Sequence, residues 1–571
     1  MKPEQLAGLL ATLFLMSCGA DYQNTEDTSA VSQNRPNILL VIGDDMGFSD
    51  LGAYGSEVST PNLDAIAAEG LQFTNFHVGA NCSPTRALLM SGVDNHRNGV
   101  GNMREFLTPE QRGRPGYEGY LNKQVVSISN LLRDSGYRTF LAGKWHLGSE
   151  LGYRPFNRGF EHSFALMQGA GDNWGSISGG KVAGERLTFT SQGEIVKRPA
   201  GIHSNQLYSD KMIEFIAADQ GSSKPFFAYL SFQTAHWPHQ APKEFVEKYR
   251  SVYKAGWDSI RERRIDRLRQ LNIISQDHPT SPRFPIVPAW NTLSNKQQQI
   301  AANRMAGYSG MIEHMDHNLG RVIQYLKDSG EYENTIVIFI SDNGPDRSQP
   351  YFAGKDWYDK RYPKTSVDDV GLRGSFSSYG PGWAQVSAAH LSGYKTFTTE
   401  GGLRVPLLIR YPKEFITGRT DEFAFVTDLS ATLLDIAEIR HPGTHYKGRE
   451  IAPMTAKSFL PLLRGETLTH RSAEDWVIYE LMGNSAVFRG DYKALRLGTW
   501  MTKAIGAPDT GAWRLYNLKN DPSELHDLSS SKPKLMDEFT NHYETYANEM
   551  GIVSMPADFD PVKIITRGRR G

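Results

Sequence analysis

Cys82-Ser83-Pro84-Thr85-Arg86 sets a thiol four residues ahead of a guanidinium. Pro84 suits the first turn of a helix running through Ala87, Leu88, Leu89 and Met90 to Gly92. Cys82 then sits at a helix N-terminus, where backbone N–H groups stabilise anions. Two readings are open: a reactive thiol beside Arg86, or a buried inert side chain. Pro at +2 with Arg at +4 after a given Cys arises by chance roughly once in several hundred. Asp44-Asp45 and Asp342-Asn343 offer three carboxylates and an amide oxygen, hard ligands that suit Ca2+ or Mg2+ and not a soft or redox metal. Either pair alone reads as a turn or helix cap; on one sheet edge the two read equally as a metal site. Lys144, His146, His236 and Lys395 carry positive charge or protons. Singly, such a His is more often structural and such a Lys a surface charge. Converging beside an acidic site, they suggest an anionic substrate clamped between metal and Lys/His, with His placed for proton transfer.

A parallel sheet would bring these residues together. Residues 37–42 (Asn-Ile-Leu-Leu-Val-Ile) form a short continuous apolar run, the pattern of a strand covered on both faces. Similar runs at 138–142, 226–232, 335–340 and 405–409 alternate with helical periodicity. The expected class is α/β: a large, mostly parallel sheet flanked by helices. Ligands bind such sheets beyond the carboxyl ends of the strands. There the first run delivers Asp44 and Asp45, and the run ending at Ile340 delivers Asp342 and Asn343. Lys144 and His146 follow the run ending at Ala142, His236 follows Phe232, and Lys395 lies shortly before the last run. One helix is expected at 304–329, with Met311, Met315, Leu319, Val322, Ile323 and Leu326 on one face and Gly330 as its stop. Another opens at Thr60 as N-cap, with Pro61 in its first turn, and closes at Gly70.

A catalytic α/β domain is thus expected over residues 36–465 and a smaller C-terminal α+β domain with an antiparallel sheet over 466–571, where a hairpin is expected at 486–495. Arg489-Gly490-Asp491 reads as its turn, and the arginines from Arg261 to Arg269, interleaved with Glu262 and Asp266, as a solvated helix face. The end, 567–571, reads as a frayed tail.

With Lys+Arg 62 against Asp+Glu 63, the net charge of −1 gives no electrostatic footprint for nucleic acid. Two cysteines in 571 residues exclude a disulfide scaffold and zinc sites built from several thiolates. Residues 6–16 form an apolar run behind Lys2, too short to span a bilayer but suited to a signal peptide. The run ends Leu15-Met16-Ser17-Cys18-Gly19, which resembles a bacterial lipobox. The expectation is a signal peptide over 1–17, lipidation at Cys18, a polar tether over 18–35, and a periplasmic or cell-surface lipoprotein whose membrane contact is that anchor.

The chain from about 36 to 528 resembles a type I sulfatase of the alkaline phosphatase superfamily, most like the bacterial arylsulfatases, in segments 37–50, 60–64, 82–92, 143–148, 234–248, 341–344, 393–406 and 515–528. In that family Cys-x-Pro-x-Arg is a maturation signal, which implies that a dedicated enzyme converts Cys82 to Cα-formylglycine (3-oxoalanine). The resemblance further implies that Asp44, Asp45, Asp342 and Asn343 hold one Ca2+ together with the group made from Cys82. Arg86 and Lys144 would orient that group, and His146 would bond to it. His236 and Lys395 would grip the sulfate, with Lys144, and stabilise or protonate the leaving oxygen. The implied reaction is attack on sulfur by one hydroxyl of the hydrated aldehyde, then release of sulfate as His146 removes the proton of the other.

The expected function is therefore hydrolysis of sulfate esters, of aryl alcohols or of sulfated carbohydrates. The alternatives are a phosphate or phosphonate ester hydrolase of the same superfamily, and a lipid-tethered protein that binds sulfated glycans without catalysis. Trp237, Trp357, Tyr358 and Trp383 are candidates for stacking on a substrate ring, or for packing on the protein itself.

Overall fold

The computed structural model describes residues 35–564 apart from 176–180, 183–184, 219, 350–361, 363–365, 502–510, 557 and 562–563. The expected signal peptide, Cys18, the tether up to residue 34 and the 567–571 tail lie outside the described residues. Within them, no helix is long and apolar enough to cross a membrane.

β1 (Asn37–Gly43) is buried at every residue, as a strand covered on both faces must be. It lies inside a ten-stranded sheet with β2 (Leu71–Phe73), β3 (Arg138–Lys144), β4 (His162–Leu166), β5 (Phe189–Ser191), β6 (Glu194–Val196), β7 (Phe226–Ser231), β8 (Thr335–Ser341), β9 (Leu407–Arg410) and β10 (Gly418–Thr420). The spatial order is β10-β2-β9-β8-β1-β7-β3-β4-β5-β6. From β8 to β4 every neighbouring pair is parallel, while β9 and β5 run antiparallel to both their neighbours. The sheet is therefore mixed, with its parallel strands at the centre. The reversal of β9 matters for the site: Leu407 pairs with Ile340, so the start of β9 lies beside the end of β8. A residue that precedes β9, such as Lys395, can thus reach the same edge as residues that follow β8.

Helices cover the sheet. α1 (Pro61–Glu69) begins after Thr60 as expected, but Thr60 makes no cap bond to it. Its Oγ1 accepts from the Gly52 N–H at 2.9 Å and donates to Asp64 at 3.1 Å. α2 (Cys82–Ser91) is buried throughout and ends at Gly92, whose φ of 65° provides the left-handed C-cap. α3 (Gly256–Gln270) carries the arginine-rich stretch, which is not uniformly solvated. Arg264 is buried and bonds Asp50 at 2.7 Å and Glu57 at 2.8 Å, because the helix face bearing Ile260 and Leu268 turns it into the fold. α4 (Asn295–Asp328) starts nine residues before the expected 304, since Ser294 and Gln297 form a capping box ahead of a polar first turn that apolar periodicity cannot register. Its expected apolar face is buried.

Near the C-terminus, β11 (Trp476–Leu481), β12 (Asn484–Arg489), β13 (Tyr492–Arg496) and β14 (Trp513–Asn517) form an antiparallel sheet, followed by α5 (Pro533–Met550). The hairpin of β12 and β13 closes through Gly490-Asp491, with Gly490 at φ 53°. Alternate residues serve two cores. Ala486, Phe488 and Leu495 join the main core, while Val487, Ala494 and Leu515 pack with Phe539 and Tyr543 of α5.

Candidate functional site

The carboxyl ends of β1 and β8 place Asp44, Asp45, Asp342 and Asn343 together, all buried. Ligand atoms of Asp44, Asp45, Asp342 and Cys82 lie within 4.8 Å of one another. The Cys82 thiol donates to Asp44 Oδ1 at 3.3 Å and to Asp45 Oδ1 at 3.6 Å. Asp45 has φ 63°, a left-handed conformation that a non-glycine residue adopts at a cost. Among the described residues, Asp45 Oδ2 and Asn343 Oδ1 are buried without a hydrogen-bond partner. An all-oxygen set with unsatisfied acceptors is the chemistry that a hard divalent cation takes.

Each acid is matched by a fixed cation. Lys144 Nζ, on the last residue of β3, is 2.6 Å from Asp44 Oδ2. Lys395 Nζ is 2.6 Å from Asp45 Oδ1 and 3.3 Å from Cys82 Sγ. Arg86, one turn into α2, donates through Nε to Asp342 Oδ2 at 2.8 Å and through Nη1 to the Lys144 carbonyl at 3.1 Å. Lys395 is thus the cation that meets the thiol, while Arg86 and Lys144 reach carboxylates.

These pairings divide the carboxylates. Burial favours the neutral acid at Asp44, but Lys144, His236, Arg86 and Lys395 outweigh it and hold the carboxyl below the usual range. At Asp45 burial prevails over the pull of Lys395 and lifts the group to about 6. Burial and then Asp44 raise Asp342, and burial and then Asp342 push the Cys82 thiol well above its ordinary value. Burial also lowers His236 to about 3, with Lys395 adding to the effect. His236 follows β7; its Nδ1 bonds the Trp237 carbonyl at 2.8 Å, and its Nε2 is 3.6 Å from Asp45 Oδ2.

His146 follows β3 and pairs through Nε2 with Glu105 at 2.9 Å. Glu105 carries no motif and does not follow a strand in the sequence, so sequence reasoning had no signal for it. Asp346, whose carboxyl Lys395 and His236 help to lower against burial, was also missed as a site residue, although it stands four positions after Asp342. Trp237 is half-buried, with its ring 4.6 Å from that of His236. Trp383 is not at the site: it is fully buried, and its indole N–H donates to the Ala301 carbonyl at 2.9 Å. Trp357 and Tyr358 lie outside the described residues.

A mixed sheet with this acid and base constellation agrees with comparisons to known proteins. The family model described as Sulfatase matches residues 36–439, and one described as N-sulphoglucosamine sulphohydrolase, C-terminal, matches 392–548. An uncharacterized sulfatase of Schizosaccharomyces pombe is 37% identical over 545 residues, covering 92% of this chain and 96% of its own. An arylsulfatase of Klebsiella aerogenes is 35% identical over 433 residues, covering 75% of this chain and 92% of its own. The solved structure of BT4656 in complex with its substrate D-glucosamine-2-N,6-O-disulfate shares the fold, with a TM-score of 0.58 at 19% identity over 93% of this chain and 99% of that one. The chain belongs to the sulfatase family and is a sulfuric ester hydrolase.

Proposed function

We propose that Cys82 is converted to formylglycine by a maturation enzyme and that, with one Ca2+ held by Asp44, Asp45, Asp342 and Asn343, it hydrolyses sulfate esters of aryl or carbohydrate alcohols to the alcohol and inorganic sulfate. The observation that carries this reading is the place of Cys82: first residue of α2, with its side chain between two strand-end carboxylates and the Lys395 ammonium. Ca2+ held there would supply positive charge to lower the pKa of a nucleophile and to polarise the ester. Formylglycine would supply, as its hydrate, two geminal hydroxyls on one carbon, the chemistry that permits nucleophilic attack and later release of sulfate.

The chain's own groups do the rest. With a cation held by Asp44, Asp45, Asp342 and Asn343, Lys144 and Lys395 would share their carboxylates with it and so have charge to offer a sulfate. Arg86 keeps Asp342 oriented through its bonds to that carboxylate and to the Lys144 carbonyl. The Trp237 carbonyl accepts a hydrogen bond from Nδ1–H of His236, so Nε2 is the nitrogen left to face substrate. A bound anion beside Nε2 favours uptake of a second proton there, and the imidazolium can then donate the Nε2 proton to the leaving oxygen and return to its Nδ1–H form, with Lys395 alongside. His146 takes the proton whose removal frees sulfate.

Two names support the substrate class: the arylsulfatase relative favours aryl esters, and the sulfated glucosamine of BT4656 favours sugars. The sequence alone supports export and a lipid anchor at Cys18; a labelled fatty acid should attach to the wild type and not to Cys18→Ala. The central test is sulfate release from an aryl sulfate and a panel of sulfated saccharides, by enzyme co-expressed with its maturation enzyme. Release should depend on Cys82, with Cys82→Ala reduced by about 10⁴-fold or more, and the Cys82 peptide should carry an aldehyde. Turnover of phosphate esters alone, or full activity with a free thiol at position 82, would overturn the reading.

A further inference from the structure

Glu105 lies in the single turn Arg104–Phe106, outside the strand ends that build the site. Its Oε1 is 2.9 Å from His146 Nε2, in a pair whose side chains are only 12% and 9% exposed. Burial would favour the neutral acid, but the hydrogen bond from His146 and the nearby Lys144 ammonium work against it, and the Glu105 carboxyl is lowered. An ionised carboxylate only accepts, so the shared proton belongs to Nε2 of His146.

The imidazole is held on its other sides as well. His146 has φ 59°, left-handed backbone at a residue that is not glycine. Gly169 lies against the ring so closely that a Cβ there would stand 2.5 Å from Cε1. What remains is Nδ1, which is buried and has no hydrogen-bond partner among the described residues. Leaving a buried acceptor unpaired costs about 1–3 kcal/mol, and here it coincides with backbone strain two residues from the Lys144 ammonium on Asp44.

We propose that Glu105 is a positioning residue that fixes His146 as the Nε2–H tautomer and thereby presents the bare Nδ1 as the proton acceptor for the group at position 82. This rests on the reading that His146 removes a proton there. The pair has the logic of any carboxylate that orients an imidazole: the far nitrogen is pinned so that the near one is a lone pair.

The test has two readouts. In 15N-histidine-labelled Cys82→Ala protein, with the His146 signals assigned by their loss in His146→Gln, Nδ1 should show the shift of a bare nitrogen and Nε2 that of a protonated one. Glu105→Leu should mix the tautomers, whereas Glu105→Gln, whose amide oxygen still accepts, should retain the Nε2–H form. In the matured enzyme Glu105→Leu should lose about 10- to 100-fold in sulfate release, Glu105→Gln less, and neither should lose more on a His146→Ala background. An unchanged tautomer in Glu105→Leu, or an equal further loss on the His146→Ala background, would overturn the proposal. A wild type without Cys82-dependent sulfate release would instead overturn the functional reading, and the tautomer result would still stand by itself.

Discussion

Lys395 and Glu400 are five residues apart, yet they belong to two clusters of buried charge built on opposite terms. Around Glu400 every ion is answered. Lys493 lies 2.8 Å from both Glu400 and Glu524, His77 Nε2 is 2.8 Å from Glu400, and the Glu400 N–H donates to Glu524 at 2.9 Å. Among the described residues, none of these side chains has an unpaired buried polar atom. Around Lys395 the count is left open: among the described residues, Asp45 Oδ2, Asn343 Oδ1 and His146 Nδ1 lack hydrogen-bond partners. Left-handed backbone occurs in both places, at Asp45 and His146 here and at Glu524 there. Buried charge alone therefore does not mark a site, because a completed network is a strut between β13 and the segment that leads into β9. Unmet valence marks the place where something else is to bind.

That contrast is open to experiment, and the largest effect should come from Asp45→Asn. It should cut turnover by about 100-fold or more and abolish the rise in melting temperature that the proposed Ca2+ site should give the wild type. Burial lifts this carboxyl from 3.8 to about 6, so the fold is favoured while the group is protonated and loses that advantage as pH climbs from 3.8 through 6. With chelator at pH 8, Asp45→Asn should accordingly melt above the wild type. An equal Ca2+ shift in both proteins would remove Asp45 from the metal site.

Lys493→Met should do the reverse. It strands Glu400 and Glu524 without their cation, which should cost about 3–5 kcal/mol of stability, read as a lower denaturant midpoint, while the rate per folded molecule changes by less than about tenfold. Normal melting with lost turnover would move this cluster into the active site.

The smallest effect belongs to Glu524→Gln. Burial raises Glu524 from 4.5 to about 7 against the opposing charge of Lys493, with Glu400 adding to the rise. Its contribution is present at low pH and lost as pH rises from 4.5 through 7. The melting temperature of Glu524→Gln relative to wild type should therefore climb by a few degrees across that window, with turnover unchanged. A difference that stays flat with pH would mean that Glu524 is ionised throughout.

The legible part of the fold was the part governed by local pattern. Residues 37–42 and 335–340 are apolar without interruption because both faces of β1 and β8 are covered, and the acids that follow them stood out against that run. Arg264 and the early start of α4 were misread because neither a buried arginine nor a polar first turn alters apolar periodicity. The direction of β9 was hidden because a continuous apolar run has no polarity. Trp383 could be read from sequence either as a ring-stacking residue or as packing on the protein itself, and its contacts with Tyr253, Trp257 and Trp290 assign it to the core.

The amino-acid order by itself determined which groups follow which strands, and through Cys82-x-Pro84-x-Arg86 it marked the residue on which the site is centred. Both are properties of near neighbours in the chain. The tertiary structure alone decided the long-range pairings: Glu105 with His146 across 41 positions, Lys395 with Asp45 across 350, and Lys493 with Glu400 across 93. Those depend on the order and direction of strands in the sheet, which bring side chains within 3 Å for reasons that no spacing along the chain encodes.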